Sequence, residues 1–201
     1  EFCEWDVDAT HVMGERPAIA GLTYVDDLQA YIERKLFTVN TGHAAIAYLA
    51  YQKKIEDIYS AMQDPEIVRL VRNVWAETSE LLVQKYGFDR EIHQKYVQAV
   101  EKRFGNKYIS DEVTRVARGP VRKLSPADRL TAPLCQLAER GIIADGLISV
   151  IAAALAFDFS EDQEAVQIQS YIKENGLGAA ITKFTGIEKD SALYEKICAA
   201  K

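Results

Sequence analysis

The sequence predicts a mainly α, multi-helical chain with a small β segment at its N-terminus. Three observations carry that reading. From Asp26 onward the apolar residues recur at the helical period, three to four per two turns. Capping residues mark several helix ends at spacings suited to ordinary helices. Alternating strand and helix units, which a parallel nucleotide-binding sheet requires, are absent.

Residues 1–25 form a short β connector, and residues 26–201 the helical body. In the connector, Phe2, Trp5 and Val7 and the run Gly21-Leu-Thr-Tyr-Val25 read as two short strands around a loop holding Gly14 and Pro17. A first long helix is predicted from about Asp26 to Tyr51. Asp64-Pro65, Asp89 and Ser160 are candidate N-caps, and Ser125-Pro126 with Asp128 resembles a capping box. Tyr86-Gly87 and Asn175-Gly176 read as helix stops. Residues 160–201 read as packed amphipathic helices, with no internal repeat or flexible linker along the chain. Gly176-Leu-Gly178 is the nearest approach to a dinucleotide-binding loop, but Ile181 stands where a third glycine belongs and no strand precedes it. It reads as a helix cap.

With 201 residues, 48% hydrophobic and 27% charged, the chain can bury a sizeable core and is not of disordered composition. No apolar run approaches the roughly 20 residues of a membrane helix. The N-terminus lacks the basic and apolar regions of a signal peptide. Cys3, Cys135 and Cys198 are few, odd in number and scattered, which points to a reducing cytoplasm, with neither a disulfide framework nor a metal site. A net charge of -6 argues against a general nucleic-acid binder. His11 and His93 read as isolated surface residues, and Trp5 and Trp75 as core or interdomain anchors.

Within the first helix, Leu28, Ile32, Val39 and Ile46 form one stripe at about 100° per residue, and Lys35 falls near its middle. A lysine there either snorkels out of a core or lines a cleft. Asn40 and His43 lie within about 140° of it by the same arithmetic and tilt back toward it. Thr41 and Gly42 leave room for a ligand to approach. A partly desolvated lysine has a lowered pKa and can act as a general base near neutrality. An amide and an imidazole beside it can hydrogen-bond an oxygen that becomes an alkoxide. The set suits metal-free oxidation of an alcohol, although a lysine, asparagine and histidine on one helix can also be purely structural.

Glu33-Arg-Lys-Leu-Phe-Thr-Val-Asn-Thr-Gly-His43, followed by Ala47-Tyr48-Leu49, resembles the signature of the polyol-specific long-chain dehydrogenases: Lys, four residues, Asn, two residues, His. The likeness continues through Tyr86-Gly-Phe-Asp89, Arg103-Phe-Gly-Asn106, Arg122-Lys-Leu-Ser125 and Asp128-Arg-Leu130. It thus covers most of the chain. The resemblance implies a C-terminal domain of the 6-phosphogluconate-dehydrogenase-C-terminal-like type, partnered by an N-terminal Rossmann domain of the same polypeptide that binds NAD, with no metal. Lys35 would match the catalytic acid/base, Asn40 an oxyanion-stabilising residue, and His43 a residue orienting substrate hydroxyls. Arg115 and Lys123 keep the eight-residue separation of two substrate-contacting residues. Lys107 replaces the family's proline after Asn106. The wording around Asn40-Thr-Gly-His43 is closest to members that interconvert D-mannitol 1-phosphate and D-fructose 6-phosphate.

Arg115, Arg118, Arg122, Lys123 and Arg129 concentrate positive charge in an acidic chain, with Asp128 the only acid between positions 115 and 129. A phosphorylated sugar alcohol would account for them, and so would a solvated face or a patch gripping the other domain. Two other readings remain open: a mannitol 2-dehydrogenase or hexuronate reductase of the same family, and a helical binding module without chemistry. The chain opens without an initiator Met and contains no Gly-rich nucleotide loop, so it reads as part of a longer protein and is expected to be inactive alone.

Overall fold

A computed structural model describes residues 4–109 and 111–200; Phe2 and Cys3 lie outside the described residues. Strands β1 (Trp5–Asp8) and β2 (Leu22–Val25) pair in parallel, with Trp5 opposite Leu22 and Asp8 opposite Val25. A parallel pair cannot be closed by a tight hairpin, so residues 9–21 cross over between the strands. The rest is helical: α1 (Leu28–Lys35), a π-helical turn (Leu36–Asn40), α2 (Thr41–Gln52), α3 (Ile58–Ala61), α4 (Pro65–Tyr86), α5 (Arg90–Phe104), α6 (Val113–Ala117), α7 (Pro120–Leu124), α8 (Thr131–Ala138), α9 (Asp145–Leu155), α10 (Gln163–Thr185) and α11 (Ala192–Ala199). No described helix is long and apolar enough to cross a membrane.

Helix α2 runs through the middle. Its sequence, apolar nearly all round, has no solvent face, and Ala44 to Ala50 are all buried. It packs against α3, α4, α6 and α9. Helix α4 is amphipathic by contrast, burying Ile67, Val71, Val74, Trp75, Thr78, Leu81 and Leu82. Its ends follow the sequence signals: Asp64 Oδ1 accepts from the Glu66 and Ile67 amides, Pro65 occupies the first turn, and Gly87 closes it at φ 68°. Asp89 caps α5 in the same way. Helix α9 lacks a cap of its own; the Glu77 carboxylate, from α4, accepts from its Gly146 and Leu147 amides at 2.7 and 2.9 Å.

Several boundaries differ from the sequence reading. No helix begins at Ser125-Pro126: residues 125–130 are turns, because Asp128 Oδ1 is taken by the amide and Nε of Arg129, and α8 starts at Thr131. The cap of α10 is Asp162, not Ser160; Asp162 Oδ1 accepts from Glu164 and Ala165, and Oδ2 from the amide of Gly119, just before α7, at 2.8 Å. Gly176, at φ 83° and ψ 161°, breaks α10 where a stop was read, but the helix resumes beyond it. His93 is no surface residue: it is 2% exposed, stacked between Phe88 and Tyr96, with Nε2 3.0 Å from Ser79 Oγ. Trp75 is core, whereas Trp5 is half exposed.

The predicted first helix is also interrupted. Across the π-turn the backbone bonds reach five residues back, so a fixed 100° per residue no longer holds. Leu28 and Ile32 accordingly do not continue the buried stripe of Val39 and Ile46, and Ile32 is 50% exposed.

Candidate functional site

The π-turn does what an uninterrupted α-helix would not. Residues five apart diverge by about 140° on an α-helix, but in the wider turn Lys35 and Asn40 meet, and Lys35 Nζ donates to Asn40 Oδ1 at 2.6 Å. A turn of this kind frequently marks a functional position. Its lining is secured from both sides. The Thr41 hydroxyl lies 2.7 Å from the Arg129 carbonyl and 3.0 Å from that of Leu36. The buried Trp75 indole N–H donates to the Thr38 carbonyl at 2.9 Å.

Gly42 makes that last bond possible. A Cβ at this position would stand 2.3 Å from Trp75 Nε1. Gly42 and Thr41 are therefore buried packing residues, and the space expected here for a ligand is filled by the indole. Trp75 stacks on Phe104, with rings 6.3 Å apart and 4° from parallel, and Phe104 stacks on His43 at 4.7 Å. The aromatic column thus supports both the π-turn and the imidazole.

His43 Nε2 sits 3.2 Å from Asp111 Oδ2, close but without the alignment of a formed hydrogen bond. Burial depresses the imidazole to a pKa of about 4, aided by Arg115, Arg103 and Lys123 and opposed by Asp111. It is neutral at physiological pH. Lys35 is also held below the usual amine range, first by partial burial and then by the charges of Arg129 and Arg103.

Asn40 and His43 open onto a cavity of about 250 Å³ whose other polar walls are Arg115, Arg118, Arg122, Lys123 and Arg129. All five basic residues of the charged stretch therefore converge on one space with two of the three signature residues. Lys35 is exposed, not set in the apolar stripe the periodicity gave it, and is joined to this space by its bond to Asn40. The corner at Gly119-Pro120 turns the chain: Gly119 has φ 76° and Pro120 starts α7. Lys123 is 4% exposed, donates to the Arg118 carbonyl, and is lowered to a pKa of about 8, chiefly by burial and then by Arg129 and Arg122. Among the described residues, no group of three or more His, Cys, Asp and Glu side chains is placed to hold a metal ion.

Sequence reasoning missed Arg103, Phe104 and Asp111. Arg103-Phe104 stood within a recognised motif, so its neighbourhood could have been suspected. Asp111 carried only a weak signal, its four-residue spacing from Arg115, with which it forms an ion pair. The turn after Arg103 forms with Lys107 in place of proline: the Asn106 side chain accepts from the Tyr108 amide at 3.0 Å.

Residues 27–200 match the family described as the mannitol dehydrogenase C-terminal domain. The chain is 50% identical over 194 residues to a mannitol-1-phosphate 5-dehydrogenase of Brevibacillus brevis, covering 96% of this chain and 50% of that protein. It is 45% identical over 193 residues to the Bacillus subtilis protein of the same name, covering 96% and 51%. It spans about half the length of these curated relatives. Among solved structures it is similar to Pseudomonas fluorescens mannitol 2-dehydrogenase in ternary complex with NAD and D-mannitol, with a TM-score of 0.62 and 20% identity, covering 90% of this chain and 42% of that one. It is likewise similar to a D-sorbitol dehydrogenase in substrate-free form, with a TM-score of 0.71 and 18% identity, covering 90% and 40%. At those identities the two structures speak to the fold alone. The family match over nearly the whole helical body, joined to the Lys35–Asn40–His43 arrangement, settles the assignment: the chain belongs to the mannitol dehydrogenase C-terminal domain family.

Proposed function

We propose that this chain, residues 26–201 with the β connector 1–25, is the substrate-binding and catalytic half of a cytoplasmic, NAD-dependent mannitol-1-phosphate 5-dehydrogenase. The reaction is the interconversion of D-mannitol 1-phosphate and D-fructose 6-phosphate. The observation that carries this is the Lys35–Asn40 hydrogen bond at the edge of a cavity walled by five basic residues.

The glycine pair that comes nearest to a dinucleotide-binding loop, Gly176 and Gly178, has other work within α10. Gly176 supplies the positive φ of a kink within α10, and a Cβ on Gly178 would meet the Tyr194 hydroxyl, so the first glycine serves the kink and the second the packing of α10 against Tyr194. The NAD grip belongs to an N-terminal Rossmann domain of the same polypeptide, as the length of the relatives allows. When bound, NAD supplies the acceptor for the hydride lost from the carbinol carbon. The residues of this chain handle the proton and the oxygen.

In oxidation, neutral Lys35 Nζ accepts the hydroxyl proton; in reduction the ammonium returns it. Asn40 Oδ1 is occupied by Lys35, which turns the amide NH2 toward the substrate oxygen, where negative charge builds. With Nε2 of the neutral His43 facing Asp111, Nδ1 is left to accept from a neighbouring substrate hydroxyl. The basic walls hold the phosphorylated end. The test is Lys35→Ala in the full-length polypeptide, assayed with NAD and D-mannitol 1-phosphate. Turnover should fall by at least about 10²-fold with the fold intact; near-normal turnover sinks the assignment. Assaying D-mannitol beside its 1-phosphate separates this activity from that of a mannitol 2-dehydrogenase.

A further inference from the structure

The five basic residues around the cavity are not equivalent. Arg115 is ion-paired with Asp111. Arg129 Nε donates to Asp128 Oδ1 at 2.7 Å, and its own carbonyl accepts from Thr41. Lys123 is buried and spends its ammonium on the Arg118 carbonyl. These three groups hold the site together. Arg118 and Arg122 differ: among the described residues neither guanidinium is in a close ion pair or donates a side-chain hydrogen bond, Arg122 acting on Asp128 only through its charge, and both side chains are exposed at the cavity.

Their backbones, in contrast, are fixed. The Arg118 carbonyl accepts from Lys123, the next residue's amide donates to Asp162 at 2.8 Å, and the Arg122 amide donates to Glu164 Oε2 at 3.1 Å. Asp162 and Glu164 sit at the start of α10, a long helix anchored in the core. Two uncommitted guanidinium groups therefore flank a Gly119-Pro120 corner that is already ordered. Each fork presents several donors in the planar geometry that suits phosphate oxygens. Little backbone entropy remains to be lost when an anion arrives.

We propose that Arg118 and Arg122 form the clamp for the terminal phosphate of the substrate and set the preference for a phosphorylated over a plain hexitol. The inference rests on the proposed dehydrogenase reading and sharpens it. Arg115, Lys123 and Arg129 shape and charge the cavity, and the two free arginines read the substrate class.

The test uses the full-length polypeptide with Arg118→Gln, Arg122→Gln and the double substitution, assayed with NAD against D-mannitol 1-phosphate and D-mannitol. Both side chains are exposed, so the thermal midpoints should match wild type. The double variant should lose on the order of 10²-fold or more in kcat/KM for the phosphorylated substrate, mostly through KM. Its kcat/KM for D-mannitol should change by less than about threefold, and inorganic phosphate, expected to inhibit the wild type, should no longer inhibit the double variant. Equal losses on both substrates, or no loss on either, overturn the clamp while leaving the dehydrogenase reading standing. A wild type that does not turn over D-mannitol 1-phosphate overturns that reading and the clamp with it.

Discussion

Gly42→Ala separates what a helix propensity predicts from what this packing predicts, because the two disagree in sign. Gly42 lies in the first turn of α2 with ordinary helical geometry, so propensity alone favours alanine by about 1 kcal/mol. The structure opposes it. The new Cβ would stand 2.3 Å from Trp75 Nε1 and under 3 Å from two further indole carbons, and Trp75 is fully buried. Relieving such an overlap costs roughly 1–3 kcal/mol. Moving the indole also breaks its bond to the buried Thr38 carbonyl, at roughly 1–3 kcal/mol more. Net destabilisation of about 3 kcal/mol follows, which in a domain of this size lowers the thermal midpoint by roughly 6–12 °C.

Chemical denaturation of wild type and variant measures the difference directly. A double-mutant cycle with Trp75→Phe identifies its source. Phenylalanine lacks the colliding atoms, so in that background Gly42→Ala should cost little or even stabilise, giving a coupling of about 2 kcal/mol or more. A Gly42→Ala variant as stable as wild type, or stabilised by the propensity term, would refute the reasoning. So would a full cost that persists in the Trp75→Phe background.

Two further expectations concern stability. Asp162→Ala removes the cap of α10 and the acceptor for the Gly119 amide, so it should destabilise by about 3 kcal/mol, whereas Ser160→Ala should fall within about 0.5 kcal/mol of wild type in denaturant titrations. His93 is held at a pKa of about 4 by burial, with Arg34 adding to the effect, against 6.5 when unfolded. Its folded pKa is depressed, so the stability it confers is complete above about pH 6.5 and is lost as pH falls from there through 4, by roughly 3 kcal/mol. His93→Phe should reduce the slope of that stretch of the stability-against-pH curve, to which the equally depressed His43 also contributes, and an unchanged slope would exclude His93 as a source.

The boundaries the sequence disclosed are those governed by local chemistry. Asp64-Pro65, Asp89 and Gly87 act on amides and dihedrals within a turn of themselves, and each sits where it was read. The misplaced ones depend on distant partners. Asp162 outcompetes Ser160 as a cap because it also reaches Gly119 at the start of α7, and Asp128 cannot start a helix at Pro126 while Arg129 holds it. The same division runs through the site. Lys35, Asn40 and His43 were visible as a motif, but the angular argument that singled out Lys35 assumed an unbroken α-helix. Their meeting depends on the π-turn, which rests on Trp75 from α4 and Arg129 from beyond α7. A periodicity argument sees one helix at a time and cannot register either support. Phe104 and Asp111 escaped for that reason too: each gains its meaning from contact with His43, across more than sixty residues of chain.

The charge that favours a phosphorylated substrate also acts on the lysine proposed to move the proton. Lys35 is lowered by partial burial and by Arg129 and Arg103, so more of it is neutral at a given pH than in a free amine, which suits a base in oxidation. A phosphate dianion in the cavity reverses part of that effect, since a negative charge nearby favours the ammonium. Substrate binding should therefore raise the pKa of Lys35 toward its usual range. The pH profile of kcat/KM reports the free enzyme, and that of kcat reports the complex. For D-mannitol 1-phosphate oxidation both should climb with pH as Lys35 loses its proton, with the kcat limb displaced to higher pH. For D-mannitol, which carries no charge, the two limbs should lie closer together, and Arg118→Gln with Arg122→Gln should narrow the gap for the phosphorylated substrate. Coincident limbs with D-mannitol 1-phosphate, or an equal gap for both substrates, would show that the cavity's charge and the proton step are not coupled. The cost of the coupling falls on oxidation, because the complex holds its base more fully protonated. The gain falls on reduction, because the ammonium that must donate the proton is then the form the bound phosphate stabilises.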